Sequence, residues 1–138
     1  MSTRLKEKEE KLLQTLEKLA QKAVEGTPIV VEGKKDIAAL KALSIDGKMI
    51  AAKTGGKFLL DVVSEIERCG AKEIILLLDF DRRGKQLTKK LIYYLEKSGI
   101  TLNMRFWIEL SSLLATEVKD VEGLASYMET LKSKTANS

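Results

Sequence analysis

Three carboxylates stand directly behind apolar runs. Glu32 follows Ile29-Val30-Val31, and Asp79 and Asp81 follow the five apolar residues Ile74–Leu78. Side chains two positions apart on an extended segment point the same way, so Asp79 and Asp81 can face a common point while Phe80 turns into the fold. Acids held at close quarters repel one another unless a cation sits among them. Hard oxygen ligands with open positions suit Mg²⁺ or Mn²⁺, which keep waters and take phosphate oxygens as further ligands. Basic residues surround these acids. Lys34 and Lys35 follow Glu32. Arg82, Arg83, Lys85, Lys89 and Lys90 follow Asp81 without an intervening acid. Cations ordinarily avoid a helix start, where the backbone itself attracts anions, so the placement of Lys34, Lys35, Arg82, Arg83 and Lys85 favours phosphate contact, whereas a solvated helix face explains Lys89 and Lys90 equally.

Composition narrows the chemistry further. The 138 residues include no histidine and one cysteine, with a formal charge of +4. Serine–histidine and cysteine–histidine nucleophile systems and histidine-ligated zinc are therefore excluded. Cys69 can form neither an internal disulfide nor a thiolate cage, and it sits in no activating pattern. The small net charge permits a polyanionic partner without demanding one. Apolar runs are too short for a membrane span and no signal-peptide pattern opens the chain, so a cytoplasmic protein without membrane contact is expected.

The acids need elements to position them. Residues 3–25 carry leucines at helical spacing with Glu and Lys between, and Gly26 and Pro28 end the helix. Its apolar face reads as packing on the domain, with a dimerising coiled coil, and hence a homodimer, as the alternative. From Pro28 the pattern alternates. Strands are expected at Ile29–Val31, Met49–Ala51, Ile74–Leu78 and Leu102–Ile108, the last carrying Phe106 and Trp107 in the core. Helices are expected at Asp36–Leu43, Lys57–Cys69 and Gln86–Lys97, with Tyr93 and Tyr94 in core or rim packing. This β-α-β-α-β-α-β order predicts a Rossmann-like α/β fold with a four-stranded parallel sheet and helices on both faces. With strand order 2-1-3-4, Glu32, Asp79 and Asp81 converge beyond the carboxyl ends of neighbouring strands. The tail is expected to hold a short helix at Ser111–Thr116, then a second helix capped by Asp120, with Ser133–Ser138 frayed. The organisation is then an N-terminal amphipathic helix over 1–27, an α/β domain over 28–108 and a helical C-terminal extension over 109–138.

Lys53-Thr54-Gly55-Gly56-Lys57 follows the second strand. The paired glycines allow close backbone approach to a ligand, with Lys53 and Lys57 as phosphate contacts. A plain strand-to-helix turn explains them equally. The segment is not a P-loop, because Phe58 stands where that motif needs Ser or Thr.

The motifs Ile-Val-Val-Glu32-Gly33-Lys-Lys-Asp36 and Leu-Leu-Leu-Asp79-Phe-Asp81-Arg-Arg-Gly84 resemble the two signatures of the toprim domain, about fifty residues apart. The resemblance spans Pro28–Ile108, and the chain is most similar to small stand-alone toprim proteins related to toprim ribonucleases and bacterial primases. It implies Glu32 as general acid/base, with Asp79 and Asp81 (and Glu32 alongside) as ligands of Mg²⁺ or Mn²⁺. It implies tight turns at Gly33 and Gly84. The chain lacks the tyrosine-bearing domain of topoisomerases and the zinc and helical domains of primases, and Arg83 stands where some relatives place a third acid. The expected function is Mg²⁺-dependent phosphodiester chemistry, cleavage or processing of RNA in the first place or DNA. The alternative is a non-catalytic module that binds RNA or DNA within a larger protein assembly.

Overall fold

The apolar strands and amphipathic helices assemble as their patterns dictate. The computed structural model describes residues 3–53, 59–114 and 116–136. The elements follow in the order α1 (Thr3–Val24), β1 (Ile29–Val31), α2 (Lys34–Ala42), β2 (Met49–Ala51), α3 (Leu59–Arg68), β3 (Glu73–Leu76), α4 (Arg82–Leu95), β4 (Thr101–Asn103), α5 (Arg105–Leu114) and α6 (Leu124–Ala136). The sheet is parallel throughout in the order β2-β1-β3-β4, with Val30 opposite both Ile50 and Leu76, and Ile75 opposite Asn103.

Strand alternation divides the core in two. Ile29, Val31, Ile75 and Leu77 face a layer made by α1, α2, α5 and α6. Val30, Ile50, Ile74, Leu76 and Leu78 face α3 and α4. Both faces of the sheet are buried along β1 and along Ile74–Leu76 of β3, so these stretches are continuously apolar rather than alternating. The apolar stripe of α1 (Leu12, Leu16, Leu19 and Ala23) is buried in the first layer, where α1 packs on α5 and α6. The packing expectation holds for this helix, and its stripe is not left over for a coiled coil. Among the described residues no helix is long and apolar enough to cross a membrane.

Several expected elements differ. The third strand runs Glu73–Leu76 rather than Ile74–Leu78, and the last helix starts at Leu124, so Asp120 holds the turn before it rather than capping it. The fourth strand ends at Asn103 instead of Ile108, and Phe106 and Trp107 lie on α5. Asn103 turns the chain: its Oδ1 accepts from Arg105 N–H at 2.9 Å, and its side-chain amide donates to Glu73 at 2.7 Å. Phe106, Leu110 and Leu114, at helical spacing, are then buried along one stripe of α5, which absorbs the expected Ser111–Thr116 helix. The fourth helix begins at Arg82 rather than Gln86, because Asp81 caps it. Its buried stripe of Leu91 and Leu95 leaves Tyr93 and Tyr94 outside, 71% and 46% exposed, contrary to the packing expected of them. The last helix runs on to Ala136, into the segment Ser133–Ser138 expected to fray.

Candidate active site

β1 and β3 are neighbours, and the chain leaves their carboxyl ends towards opposite faces of the sheet. A ligand crevice forms at such a switch point. Here it is a cleft of about 400 Å³ with Glu32 and Asp79 at its base. Lys53 reaches it from the end of β2. The β1–β2 pairing continues beyond both strands through Lys53 N–H to Glu32 O at 2.7 Å, which brings Lys53 Nζ to 3.9 Å from Glu32 Oε2. The Glu32 side chain is 14% exposed, and its Oε1 is buried with no hydrogen-bond partner. Beside it, Asp79 is pushed up to about 7, first by burial, then by the adjacent Glu32 carboxylate, against a hydrogen bond from Val121 N–H. A neighbouring negative charge makes ionising Asp79 more costly.

The turn after β1 opens α2 with its N-terminus on the cleft. Gly33 is the N-cap in extended conformation, and Asp36 at the third helical position accepts from Gly33 N–H at 2.8 Å. Lys34 and Lys35 line the cleft and are exposed. Asp36 is itself buried. Its carboxyl is raised by that burial and by the carboxylates of Asp79 and Asp120, against hydrogen bonds from the Gly33 and Glu122 N–H groups.

The turn after β3 is built the other way round. Asp81 is the N-cap of α4 and its Oδ1 accepts from Gly84 N–H at 2.8 Å. A Cβ on Gly84 would lie 2.0 Å from Asp79 O, so the first turn of α4 rests on the backbone of Asp79. Neither Gly33 nor Gly84 has a positive φ. The glycine after β3 is required by close approach rather than by turn conformation, and a Cβ at Gly33 would meet nothing nearer than the Asp36 carboxylate at 3.9 Å. The expected convergence of three acids is therefore realised for two. Asp81 does not line the cleft, and the described residues hold no group of three or more acids close enough to form a metal cage.

The basic residues divide as well. Lys34, Lys35 and Lys53 rim the cleft. Arg82, Arg83 and Lys85 are exposed on the first turns of α4, outside it. Gly55, Gly56 and Lys57 lie outside the described residues.

The remaining wall is one that sequence reading did not supply. Asp120 and Glu122 line the cleft from the connection between α5 and α6. Phe80 N–H donates to Lys119 O at 2.8 Å, Val121 N–H donates to Asp79 Oδ1 at 3.3 Å, and Gly123 N–H donates to Asp120 Oδ1 at 2.8 Å. The available signal was the run of acids ending in a glycine at Asp120–Gly123.

Fold and site together define a single-chain α/β domain with paired acids at a switch point and a cationic rim. Residues 27–109 match the family model of the Toprim domain. The chain is similar to a UPF0292 protein of Methanocaldococcus jannaschii, 40% identical over 120 residues that cover 86% of this chain and 91% of that one. It is also similar to a UPF0292 protein of Methanosarcina acetivorans, 36% identical over 126 residues covering 91% and 85%. A solved structure of a protein from Aquifex aeolicus superposes with a TM-score of 0.65 at 28% identity, covering 79% of this chain and 94% of that one. The chain belongs to the toprim domain family, and its curated relatives are small archaeal proteins. Membership associates it with metal-dependent nucleic-acid chemistry.

Proposed function

We propose that this protein is a metal-dependent enzyme acting on a nucleic-acid phosphodiester, with RNA as the first substrate to test and DNA the second. The observation that carries this reading is the pair Glu32 and Asp79. One oxygen of Glu32 is buried without a donor, and Asp79 is held beside it at the cost of its ionisation. A divalent cation relieves both defects at once, and an all-oxygen donor set suits Mg²⁺ or Mn²⁺. Glu32 and Asp79 would hold the ion, with Asp81 joining from the adjacent turn. When bound, it would polarise a phosphoryl oxygen and stabilise the leaving oxygen.

The chain's own residues account for the remainder. Lys34 and Lys35, at the N-terminus of α2, bind the non-bridging phosphate oxygens together with the helix dipole. Lys53 lies opposite and offsets charge that develops in the transition state. Glu32, in contact with both the cleft and Lys53, is placed to move a proton at the reacting oxygen. Arg82, Arg83 and Lys85 lie away from the cleft and serve the flanking backbone of a polymer rather than the scissile phosphate. A protein of the cytoplasm fits this role.

A second reading has a specific observation in its favour. Asp81 is engaged as a helix cap, which leaves two acids rather than three in the cleft. The same site would then grip RNA or DNA without turnover, within a larger assembly. Labelled structured RNA and single-stranded DNA, incubated with Mg²⁺, separate the two. The enzyme reading expects products that vanish with chelator and fall at least 100-fold in Glu32→Gln. Cleavage that survives Asp79→Ala plus Asp81→Ala would falsify it. Salt-sensitive binding with no product over long incubation selects the binding module.

A further inference from the structure

At the carboxyl end of the edge strand β4, on the same side of the sheet as the acidic cleft, a second cavity opens between α4 and α5. It measures about 270 Å³ and is lined by Lys85, Thr88, Lys89, Ile92, Met104 and Trp107. Its floor lies where the two half-cores meet at the sheet edge, since Trp107 packs on one and Ile92 and Met104 on the other. Trp107 is fixed in place. Its indole N–H donates to Asp79 O at 3.4 Å, and its ring lies 6.0 Å from that of Phe80. The one hydroxyl in the cavity, that of buried Thr88, already donates to Gly84 O at 2.7 Å. The lip holds the exposed ammonium groups of Lys85 and Lys89, one helical turn apart, and among the described residues no acid lines the cavity. Tyr93 continues that stripe a further turn along and pairs edge-on with Tyr94 at 5.3 Å.

We propose that this groove receives a nucleobase from a single-stranded segment of the substrate, stacked on Trp107, while Lys85 and Lys89 hold the adjoining phosphates. The inference rests on the nucleic-acid reading of the cleft. An aromatic side chain in an apolar groove with a cationic lip matches a base joined to phosphates, since every base presents a π-face to an aromatic ring. The lining offers few free donors or acceptors, so the groove accepts any base rather than reading one. The hydrogen bond from Trp107 to the backbone of Asp79 links one wall of the groove to the strand end that carries the cleft.

Trp107 is the chain's single tryptophan, so its emission reports on the groove directly. Short RNA and DNA oligonucleotides are titrated into the full-length protein, in Mg²⁺ and in chelator. Trp107 fluorescence is followed, together with the anisotropy of a labelled strand. Binding is expected to quench Trp107 with bases of any identity, and an abasic strand of equal length is expected to bind without quenching. Trp107→Ala should weaken binding roughly tenfold, the usual effect of losing one stacked base, and Trp107→Phe should restore most of it. Lys85→Glu with Lys89→Glu should weaken it further and flatten its salt dependence. Strands that bind without quenching, with abasic and base-bearing strands alike, overturn the groove and leave the cleft reading standing. No binding by any strand removes both. A Trp107 signal that changes with protein concentration alone, matched by a dimer in sedimentation, makes the groove a contact between copies and also overturns the proposal.

Discussion

The turns after β1 and β3 use one hydrogen bond in opposite directions. After β1, glycine is the cap and an aspartate three residues on reaches back to its N–H, from Asp36 to Gly33 at 2.8 Å. After β3, aspartate is the cap and receives the N–H of a glycine three residues on, from Gly84 to Asp81 at 2.8 Å. Each is half of a capping box, a reciprocal pair in other helices. The difference lies in what the glycine faces. A Cβ on Gly33 would meet only the Asp36 carboxylate, at 3.9 Å, whereas Gly84 lies against the backbone that carries Asp79. The first turn therefore leaves its helix start free for a ligand. The second closes its helix start against the strand end and fixes where Asp79 sits.

This contrast can be broken most severely at Gly84. Gly84→Ala places a methyl group 2.0 Å from Asp79 O, and backbone cannot give way as a side chain would. A loss of at least ~3 kcal/mol, or failure to fold, is expected in chemical denaturation. An alanine variant of wild-type stability would refute the close packing. The next effect concerns charge. In chelator, Asp79 binds its proton more tightly folded than unfolded, with a folded value of about 7 against an ordinary value near ~4. Its contribution is therefore fully present below that ordinary value and is lost as pH rises towards about 7. Asp79→Asn should flatten this fall, raise the melting temperature at alkaline pH by a few degrees and abolish stabilisation by Mg²⁺. An unchanged pH slope argues against the raised Asp79 carboxyl.

Asp81 comes third. Asp81→Ala should cost ~1 kcal/mol through the lost cap, whereas Asp81→Asn, which can still accept from Gly84 N–H, should stay near wild type. If Asp81→Asn nonetheless abolishes Mg²⁺-dependent turnover, the carboxylate has a role beyond the cap. The smallest effect is expected at Gly33. Gly33→Ala should remain within ~1 kcal/mol, since the site is extended and open. A collapse there comparable to Gly84→Ala would erase the difference between the turns.

The sheet, its order and the pairing of Glu32 with Asp79 were legible because each depends on local pattern. An apolar run buried on both faces is a central parallel strand, and an acid at its end falls at the switch point. The fate of Asp81 was not legible. One carboxylate can ligate a cation or cap a helix, and the choice turned on where α4 starts. The start of α5 was hidden by Phe106-Trp107-Ile108, whose residue types favour strands, while the turn made by Asn103 and the stripe Phe106, Leu110 and Leu114 favour a helix. The exposure of Tyr93 and Tyr94 could have been read, since the stripe Leu87, Leu91 and Leu95 points α4 away from them. Asp120 and Glu122 could not be placed in the cleft from sequence, because their approach depends on how α5 and α6 fold back against the sheet.

That fold-back has a consequence for synthesis. The turn bearing Asp79 is held by Lys119 O and contacted by Val121 N–H, on a segment that leaves the ribosome some forty residues after Asp79 itself. The nascent sheet can pair as soon as β4 has emerged, but its acids have no outer wall until the connection before α6 arrives. Acids and wall are thus separated in order of synthesis: a chain halted before Val121 would carry Glu32 and Asp79 without the backbone N–H that meets Asp79.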